Sequence, residues 1–455
     1  MYKVPQYIDN NKIFIVNRSE IEGRLDPNPY NNERKDAIKR IKNTGKYLPL
    51  SSVVSFKKSI TTDIKSGDIY VGLENIISDI GEYVETTEKQ SISSATTFEK
   101  GDILFPKLRP YLNKVFYATF DGLCSTEFHV LKSNGVNSQY LSIFLRSSLV
   151  VNQTKHLMTG NTLPRLQTED VRSLLIPIPS TEIQRKIVDY YLSAYNEKQK
   201  RESEAQQFLE NIDTYLLDEL GVSLPEVRNE LTDRMFLLNR SELEGRFDPT
   251  VYKDGIKLIS PKWDNEKLSK VAFVNPSGAY KGKTAEIPIS FVPMDVIDET
   301  FSEITTMDET TIEQASGFTK FREGDLLWAK ITPCMQNGKS AIAKNLTNGL
   351  GCGSTEFFIL RPKDERLAIE YLHVILHMKC VRETAMLYFG GSAGQQRVPA
   401  SFLENFNLPL PPKEKQVEIA NHVYEMRRRA KALQEDGKNI LEQAKQKVEK
   451  MIIEE

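Results

Sequence analysis

The chain has 455 residues, of which 40% are apolar and 27% are charged. These values are typical of soluble globular proteins and exclude a disordered chain, and the length suffices for two or three domains. No apolar run approaches the roughly 18 residues that span a bilayer, and the first residues lack the basic-then-apolar layout of a secretory signal.

The cysteines and the net charge narrow the class further. The formal net charge is −2, whereas a small nucleic-acid-binding domain is usually basic. Only charges within about a Debye length of a phosphate contribute strongly, so the near-neutral total leaves DNA binding open. The four cysteines form no C-x-x-C pair, which argues against a structural zinc or a disulfide framework and favours a reducing cytoplasm. They are Cys124, Cys334, Cys352 and Cys380.

The chain contains an internal duplication. After an N-terminal arm, residues 1–16, the segment NRSEIEGRLDP at Asn17–Pro27 recurs as NRSELEGRFDP at Asn239–Pro249, with nine of eleven positions identical. The further repeated segments, in the same order, are GDILFPKLRPYLNK (Gly101–Lys114) with GDLLWAKITPCMQNGK (Gly324–Lys339), CSTEFHVL (Cys124–Leu131) with GSTEFFIL (Gly353–Leu360), and IPIPSTEIQRKI (Ile176–Ile187) with LPLPPKEKQVEI (Leu408–Ile419). Such self-similarity indicates two copies of one structural plan.

Each copy mixes short β-rich runs with an amphipathic helix and ends in a proline-punctuated strand. Glycine and proline then nearly vanish for about 40 residues, which indicates a long helix. The predicted fold class is α+β, with two homologous mixed α/β domains separated by two long helices that pair as an antiparallel coiled coil. The predicted boundaries are 17–179 for the first domain, 180–222 for the central helix, 223–411 for the second domain with its connector 223–238, and 412–455 for the C-terminal helix.

The two long helices are predicted from Thr181 to about Leu220 and from about Lys413 to Ile453, with Thr181 and Gln184 as a capping box at the first start. Apolar residues recur at three- and four-residue steps, and this narrow stripe is typical of a coiled-coil seam. In the first helix the seam is Ile187, Tyr191, Ala194, Ala205, Phe208, Ile212 and Tyr215, interrupted by Lys198 and Arg201. In the second it is Ile419, Val423, Met426, Ala430, Leu433, Gly437, Ile440, Ala444 and Met451, broken by Lys447. A solvated single helix, or docking of the helix onto another domain, is the alternative, but two matching helices of about 40 residues in one chain favour pairing with each other.

Motifs of catalysis or metal binding are incomplete. GAYKGKT at Gly278–Thr284 is one residue short of a phosphate-binding loop, because Ser277 stands where the first glycine is needed. DPNPY at Asp26–Tyr30 resembles the proline-aromatic motif of adenine methyltransferases, but its second copy reads DPTVY. His373 and His377 share one helical face and lack an obvious third metal ligand. We therefore expect no catalytic residue and no metal site in this chain.

Two repeated loops carry residue types that bind DNA. The first lies between two strands, and its basic and amide side chains suit phosphates and base edges. Its candidate residues are Lys107, Arg109, Tyr111, Asn113 and Lys114, with Lys330, Gln336, Asn337 and Lys339 in the second copy. An ordinary charged hairpin is the alternative, and Lys107 and Lys330 are expected as phosphate contacts.

The second loop is TGNTLPRL in the first copy and GGSAGQQRV in the second, and its glycines allow close approach to a partner. Its candidate residues are Asn161, Arg165, Gln395, Gln396 and Arg397; a connector with a structural arginine is the alternative. The repeated STEF segment is predicted as a strand whose Glu127 or Glu356 pairs with a nearby basic group.

A tandem duplication in which each half ends in IPIP or LPLP, followed by a long Glu/Gln-rich helix, resembles the specificity subunit of type I restriction-modification systems. The resemblance covers Asn17 to Ile453. Its most specific pieces are GDILFPKLRPYLNK and TGNTLPRLQTEDVRSLLIPIPSTEIQRKI with their second copies.

The resemblance implies that each domain is a target-recognition domain that reads half of a split site on double-stranded DNA, while the paired helices set the gap. It also implies two modification (methyltransferase) subunits as partners and, through them, a restriction subunit. S-adenosylmethionine, ATP and Mg are expected on those partners, and no cofactor in this chain. The two copies differ most in their loops, so we expect an asymmetric target.

Two other hypotheses remain open from the sequence. The same architecture could serve another phage-defence or stand-alone DNA methylation system. Alternatively, the chain could be a coiled-coil scaffold that binds no DNA. Salt-dependent DNA binding separates the scaffold from both DNA-reading hypotheses.

Overall fold

The computed structural model describes residues 9, 12–21, 26–65, 67–86, 92–160, 162–224, 237, 240, 248–392 and 395–454. Most of the predicted arm, of the repeated NRSE element and of the connector lies outside these residues. Within the described part, no helix combines the length and the apolar character that crossing a membrane requires.

The chain divides into two compact units. The first unit contains residues 1–199 and 436–455, and the second contains residues 200–435. Each unit therefore combines one copy of the duplicated sequence with a segment of each long helix. The division falls inside the long helices, not at the domain boundaries predicted from the sequence.

The first unit is built on two four-stranded sheets among its described residues, in the orders β2-β9-β6-β7 and β3-β5-β8-β4, with a separate β1–β10 pair. Its strands are β1 (Tyr47–Pro49), β2 (Val54–Lys57), β3 (Ile60–Thr61), β4 (Tyr70–Val71), β5 (Ala95–Phe98), β6 (Ile103–Pro106), β7 (Phe116–Tyr117), β8 (Gly122–Cys124), β9 (Phe128–Ser133) and β10 (Leu175–Pro177). The pairing of β4 with β8 is parallel and the others are antiparallel. The apolar strand β6 is buried along its whole length because it lies inside its sheet.

The second unit repeats this plan with sheets in the orders β12-β19-β16-β17 and β14-β13-β18-β15 and a β11–β20 pair. Its strands are β11 (Asp264–Lys267), β12 (Ala272–Val274), β13 (Pro288–Val292), β14 (Asp308–Thr311), β15 (Thr319–Arg322), β16 (Leu326–Ala329), β17 (Ser340–Ile342), β18 (Leu350–Gly353), β19 (Phe357–Pro362) and β20 (Asn407–Leu410). One edge differs. In the first unit β3 pairs with β5, whereas in the second unit β14 pairs with β13, at the opposite edge of the equivalent sheet.

The helices also repeat, and the mixed α/β class predicted from the sequence is confirmed. The short helices of the first unit are α1 (Asn32–Asn43), α2 (Leu50–Val53), α3 (Ser138–Leu145), α4 (Ser148–Thr154) and α5 (Thr168–Arg172). Those of the second unit are α7 (Pro249–Asp254), α8 (Leu268–Val271), α9 (Ile369–His377), α10 (Lys379–Leu387) and α11 (Ala400–Asn405). The long helices are α6 (Thr181–Leu220) and α12 (Lys413–Ile453).

The long helices pack antiparallel inside the first unit. Ile187 and Tyr191, near the start of α6, share a hydrophobic core with Val448 and Ile452, near the end of α12. Further along α6, the backbone of Lys198 lies against Gly437. The contacts therefore run in opposite directions along the two helices.

The second unit shows the same antiparallel packing at the other ends of these helices. The ring of Tyr215 lies 4.3 Å from the ring of His422, and the ammonium of Lys415 is 2.9 Å from the carboxylate of Glu219. Leu216 of α6 is fully buried there. The coiled-coil pairing predicted from the sequence is confirmed.

The buried stripe is broader than the predicted seam. Most of the predicted seam residues are buried, but Ala194, Phe208, Tyr215, Leu433, Ile440 and Met451 are only half-buried. The buried apolar side chains that the stripe did not include are Val188, Leu216, Leu220, Ala420, Leu441, Val448 and Ile452. A strict heptad stripe predicts too narrow a buried face. In each unit, the helix segments pack not only against each other but also against the domain of that unit.

Lys198 does not interrupt the packing, as the sequence suggested, but is buried within it. Its side chain is 5% exposed, and its ammonium lies 4.0 Å from the carboxylate of Glu82. The long aliphatic stem covers the helix contact while the charge reaches a partner. The neighbouring Gly437 leaves room for this stem.

A side chain at position 437 tests this contact. A Cβ there would meet Lys198 atoms at 3.4–3.5 Å, an ordinary contact distance. We expect Gly437→Ala to keep or slightly raise stability, because alanine favours the helix by about 1 kcal/mol over glycine. Gly437→Leu should overfill the contact and lower the free energy of unfolding by about 1–3 kcal/mol. Equal stability of the alanine and leucine variants in urea unfolding would contradict this packing.

The predicted capping box at the start of α6 is wrong. The hydroxyl of Ser180, not Thr181, accepts from the backbone N–H of Ile183 at 3.4 Å. The Gln184 side chain instead accepts from the backbone N–H of Asn137 at 2.9 Å and donates to the Pro179 carbonyl. The long-range hydrogen bond with Asn137 replaces the predicted local cap. Gln184 therefore links α6 to the domain of the first unit.

The second unit repeats this fastening with Gln416 of α12. Its amide oxygen accepts from the N–H of Ala368 at 2.8 Å, and its amide nitrogen donates to the carbonyls of Arg366 and Pro411, both at 2.8 Å. A buried tyrosine supports each junction. Tyr140 and Tyr371 donate their hydroxyls to the carbonyls of Pro177 and Pro409.

Each domain is also held by the long helix that originates in the other half of the sequence. In the first unit, Glu449 of α12 accepts from the N–H of Ser148 at 2.6 Å, at the start of α4. In the second unit, Asp213 of α6 accepts from the N–H of Lys379 at 2.8 Å, at the start of α10. A carboxylate satisfies an end-of-helix amide in both cases. Within each unit, an equivalent hydrogen bond therefore joins the domain to the helix from the other half of the sequence.

Candidate nucleic-acid interface

Both repeated loops chosen from the sequence lie side by side in the first unit. We call the described residues of 107–115, which connect β6 and β7, together with those of 158–166, the first loop pair. Three backbone hydrogen bonds join its parts and the turn before β9. The N–H of Arg109 donates to Pro164 at 2.9 Å, that of Leu166 to Lys107 at 2.9 Å, and that of Lys107 to Glu127 at 2.8 Å.

A bidentate ion pair locks the first loop pair. Arg165 donates through Nε and Nη2 to the two carboxylate oxygens of Glu127, at 3.1 and 2.8 Å. The carboxylate raises the pKa of the guanidinium through these hydrogen bonds and through its charge. Planar two-point pairing of this kind adds geometric specificity to the attraction. The arginine side chain is still 48% exposed, so its outer edge faces solvent.

The second loop pair, the described residues of 330–339 and 389–398, is built the same way. The N–H of Thr332 donates to Gln396 at 3.0 Å, that of Val398 to Lys330 at 2.9 Å, and that of Lys330 to Glu356 at 2.9 Å. Arg397 forms the bidentate pair here, with Glu356 at 2.9 and 2.8 Å. The hydrogen bonds from Arg397 lower the pKa of Glu356.

The two glutamates come from the STEF segments, which are turns and not strands. Ser125 and Ser354 each accept from the N–H of the glutamate two residues later, at 3.2 Å, and the strands β9 and β19 begin only at the phenylalanines. Serine competes for nearby amides in this way and favours a turn. The predicted pairing of these glutamates with a basic group is confirmed, and their partners are the two arginines of the loop pairs.

Three of the predicted DNA-binding side chains make hydrogen bonds within the fold. Asn113 is buried, and its amide donates to the Asp79 carboxylate at 2.9 Å and to the Arg146 carbonyl at 2.8 Å. Lys114 and Lys339 donate to the carbonyls of Leu73 and Met294, at 2.8 and 3.2 Å. These equivalent contacts tie each loop to the neighbouring segment. Asn113 therefore has no amide hydrogen left for DNA, whereas DNA binding by Lys114 and Lys339 stays a prediction.

Lys107 and Lys330 are half-buried and differ from each other. The Lys107 ammonium donates to the Thr126 carbonyl at 2.6 Å, and burial lowers its pKa. The role of Lys107 as a phosphate contact stays a prediction. The Lys330 ammonium instead lies 5.4 Å above the Phe358 ring, at the mouth of a groove.

The exposed side chains differ between the loop pairs. The first presents Arg109 and Tyr111 to solvent, and Arg109 has a positive φ of 47°. Such a backbone is uncommon outside glycine and tends to occur at functional sites. The second presents Gln395 and Asn337, and the Asn337 amide donates to the Glu299 carboxylate at 3.1 Å.

The remaining candidates have mixed roles. Gln336 is half-buried, with its amide oxygen accepting from the Thr332 hydroxyl and its carbonyl accepting from Arg382. Gln396 is half-buried and contributes its carbonyl to the backbone pairing. Asn161 lies outside the described residues.

The two histidines of α9 contact different partners. His373 is buried between the Tyr424 hydroxyl, 3.0 Å from Nδ1, and the Ser340 hydroxyl, 3.2 Å from Nε2. His377 lies 3.2 Å from the Glu299 carbonyl. Burial lowers the pKa of both imidazoles well below the usual value. Within the described part of the chain, no cluster of three or more His, Cys, Asp or Glu side chains could hold a metal ion.

Comparison with known proteins identifies the family. The model of the type I restriction modification DNA specificity domain matches residues 31–211 and again residues 282–443, one match for each copy. The chain belongs to this family. The resemblance inferred from the sequence is thus confirmed.

Individual relatives match one part of the chain. The specificity subunit of the type I restriction enzyme EcoEI from Escherichia coli is 38% identical over 160 residues, which are 34% of this chain and 26% of that relative. The specificity subunit of EcoAI, also from Escherichia coli, is 35% identical over 158 residues, again 34% of this chain and 26% of the relative. The aligned part thus spans about a quarter of each relative.

One solved structure is similar over nearly the whole chain. It comes from a study of the complex assembly and conformational transition of the type I R-M system. It has a TM-score of 0.53 and 20% identity, and the match covers 90% of this chain and 97% of that one. At this level of identity the similarity shows a common fold.

Proposed function

We propose that this chain is the sequence-reading subunit of a type I restriction-modification complex and recognises a bipartite, asymmetric target on double-stranded DNA. The observation that carries the proposal is the pair of equivalent loop pairs, one in each matched copy, with the same scaffold and different exposed side chains. A common scaffold gives both readers the same approach to DNA. Different side chains give them different base preferences.

The long helices support a role in spacing. Antiparallel pairing of two matching helices gives an approximate twofold relation between them. Proteins that read two half-sites of a duplex as dimers use the same twofold relation between their two readers. The exchanged contacts of Glu449 and Asp213 tie each domain to both helices. We infer that the helices set the gap between half-sites and offer the docking surface for two modification subunits, with the restriction subunit joining through them.

The chemistry belongs to the partners in this proposal. S-adenosylmethionine, ATP and Mg would bind to the modification and restriction subunits, and this chain would supply recognition without a catalytic residue. The alternative of another DNA methylation or defence system differs only in these partners, so the subunits that co-purify with the chain distinguish the two.

The arginine–glutamate pairs give the direct test. We expect Arg165→Ala to weaken recognition of one half-site by about tenfold to a hundredfold, and Arg397→Ala to do the same to the other. Because each arginine is held at two points, we expect Glu127→Ala and Glu356→Ala to have the same effects as the matching arginine changes. Arg165→Lys should not restore recognition, since an ammonium cannot form the planar pair. The measurement is the affinity of the assembled complex for duplexes in which one half-site at a time is altered.

The glutamate variants separate positioning from direct contact. If Arg165 binds a phosphate directly, Glu127→Ala will strengthen binding by removing a negative charge, and Arg165→Ala will weaken binding to all sequences equally. Arg40→Ala, an exposed arginine on α1, serves as the control for loss of one positive charge. Unchanged recognition in the variants of both loop pairs would contradict the proposed interface.

A further inference from the structure

The second unit contains a groove that adjoins the second loop pair. It has a volume of about 510 Å³ and lies between the segment after β12, the strand β15 and the start of the loop 330–339. Lys330 belongs both to the groove and to the loop pair. The GAYKGKT segment, which is not a phosphate-binding loop of the nucleotide type, forms one wall through its residues Gly278–Lys281.

The groove is positively charged. Three lysines line it, Lys281, Lys320 and Lys330, and none of the described lining residues is acidic. The Lys320 ammonium lies 5.4 Å above the Tyr280 ring, and the Tyr280 hydroxyl donates to the Gly351 carbonyl at 2.7 Å. The aromatic ring thus supports the ammonium from below without neutralising it, as a carboxylate would.

The wall formed by GAYKGKT is shaped by two successive turns. The N–H of Lys281 donates to Gly278 at 3.2 Å, and that of Lys283 donates to Tyr280 at 3.1 Å. Gly278 and Gly282 have positive φ values of 76° and 77°, and a Cβ on either would meet nothing within 4 Å. These glycines serve the turns, and the wall faces open space. The chain continues into strand β13, so no helix amino terminus points into the groove.

The first unit differs from the second at the positions of two of these lysines. Thr97 occupies the position of Lys320. Each of these residues precedes a phenylalanine that pairs with a glycine of the neighbouring strand: Phe98 pairs with Gly122, and Phe321 pairs with Gly351. The ammonium of Lys107, the equivalent of Lys330, donates to a backbone carbonyl. At these two positions the second copy therefore presents charges that the described residues of the first copy do not, and the edge strands of the two sheets also differ.

We propose that this groove binds the sugar–phosphate backbone of DNA beside the bases that the second loop pair reads. This inference rests on the proposed function and adds Lys281 and Lys320 to the interface. The groove is open and continuous with the loop pair, as a passing strand requires. Three lysines in a groove whose described lining has no acidic side chain match the charge of successive phosphates.

The test uses the full chain, or its complex with the modification subunits, and a mixed-sequence duplex titrated at several salt concentrations. The double variant Lys281→Gln/Lys320→Gln removes two charges at exposed positions. Each phosphate contact contributes about 0.9 to the slope of log affinity against log salt, so we expect the slope to fall by about 2 and the affinity at 0.1 M salt to fall by about tenfold or more. Lys283→Gln, in the same segment but not lining the groove, is the matched control and should bind as the unchanged protein does.

The outcomes separate this inference from the proposed function. If the unchanged protein shows no salt-dependent DNA binding, both fail. If it binds DNA and the double variant has the same slope and affinity, the groove inference fails while the proposed function stands. Calorimetric titration with inorganic phosphate and with ATP completes the test. Binding of either one that the double variant abolishes, with DNA binding unchanged, would make the groove a small-anion site and overturn the inference.

Discussion

We expect that adding one heptad to each long helix abolishes modification of the original target. Any target that this variant still modifies should have its two half-sites separated by a longer gap. Insertions after Ala205 of α6 and after Ala430 of α12 lie near the same level of the antiparallel pair. Glu219 contacts Lys415, and Ala205 lies 14 residues before Glu219 while Ala430 lies 15 residues after Lys415. Seven residues lengthen a helix by about 10 Å at 1.5 Å per residue. This length corresponds to about 3 base pairs at roughly 3.4 Å each, with a rotation of about 100° at 10–10.5 base pairs per turn.

The control replaces seven residues at the same places with the inserted sequence and leaves the helix lengths unchanged. This variant should modify the original target. Methylation mapping of DNA from cells that express each complex gives the readout. A folded, partner-bound heptad variant that modifies the original sequence at its original spacing with full affinity would show that the helices do not set the gap.

Replacing Gln416 with alanine lowers the free energy of unfolding by about 3 kcal/mol. The side chain is fully buried and makes three hydrogen bonds, to Ala368, Arg366 and Pro411. Its loss leaves one buried N–H and two carbonyls without this partner, and each such group costs about 1–3 kcal/mol. Urea unfolding of the full chain measures the effect.

Two comparisons sharpen this prediction. Gln184, the equivalent residue of α6, makes two such bonds, so Gln184→Ala should cost less than Gln416→Ala. Glu414→Ala, an exposed change in the same helical turn, should alter stability by less than about 0.5 kcal/mol. A Gln416→Ala variant as stable as the Glu414→Ala variant would contradict the role assigned to this junction.

The architecture was predictable because it depends on patterns that local sequence carries. Long stretches without glycine or proline, rich in charge and with periodic apolar residues, predicted both long helices with the bounds that the structure shows. The duplication predicted two equivalent domains, and the equal lengths of the helices predicted their pairing. Each of these patterns occurs once in each copy, so the pattern in one copy supports the interpretation of the same pattern in the other.

The candidate site was less predictable, because long-range partners decide which polar side chains remain available. Asn113 looked like a base-reading amide, yet Asp79 and Arg146 take up both of its donor hydrogens. Gln184 had the spacing of a local cap, but the N–H of Asn137 competes for its oxygen. The repetition of STEF in both copies was a signal for the partner of Arg165, although sequence spacing could not show that Glu127 and Arg165 meet.

Mapping the methylated bases in DNA from cells that express this chain with its modification subunits tests the central claim most directly. We expect one bipartite motif, with two different half-sites separated by a gap of fixed length and unspecified sequence. The same cells with Arg397→Ala should lose the specificity of one half-site and keep that of the other. A continuous motif, a motif with two identical half-sites, or an unchanged motif when the second loop pair is altered would contradict the account of two separate readers on one helical spacer.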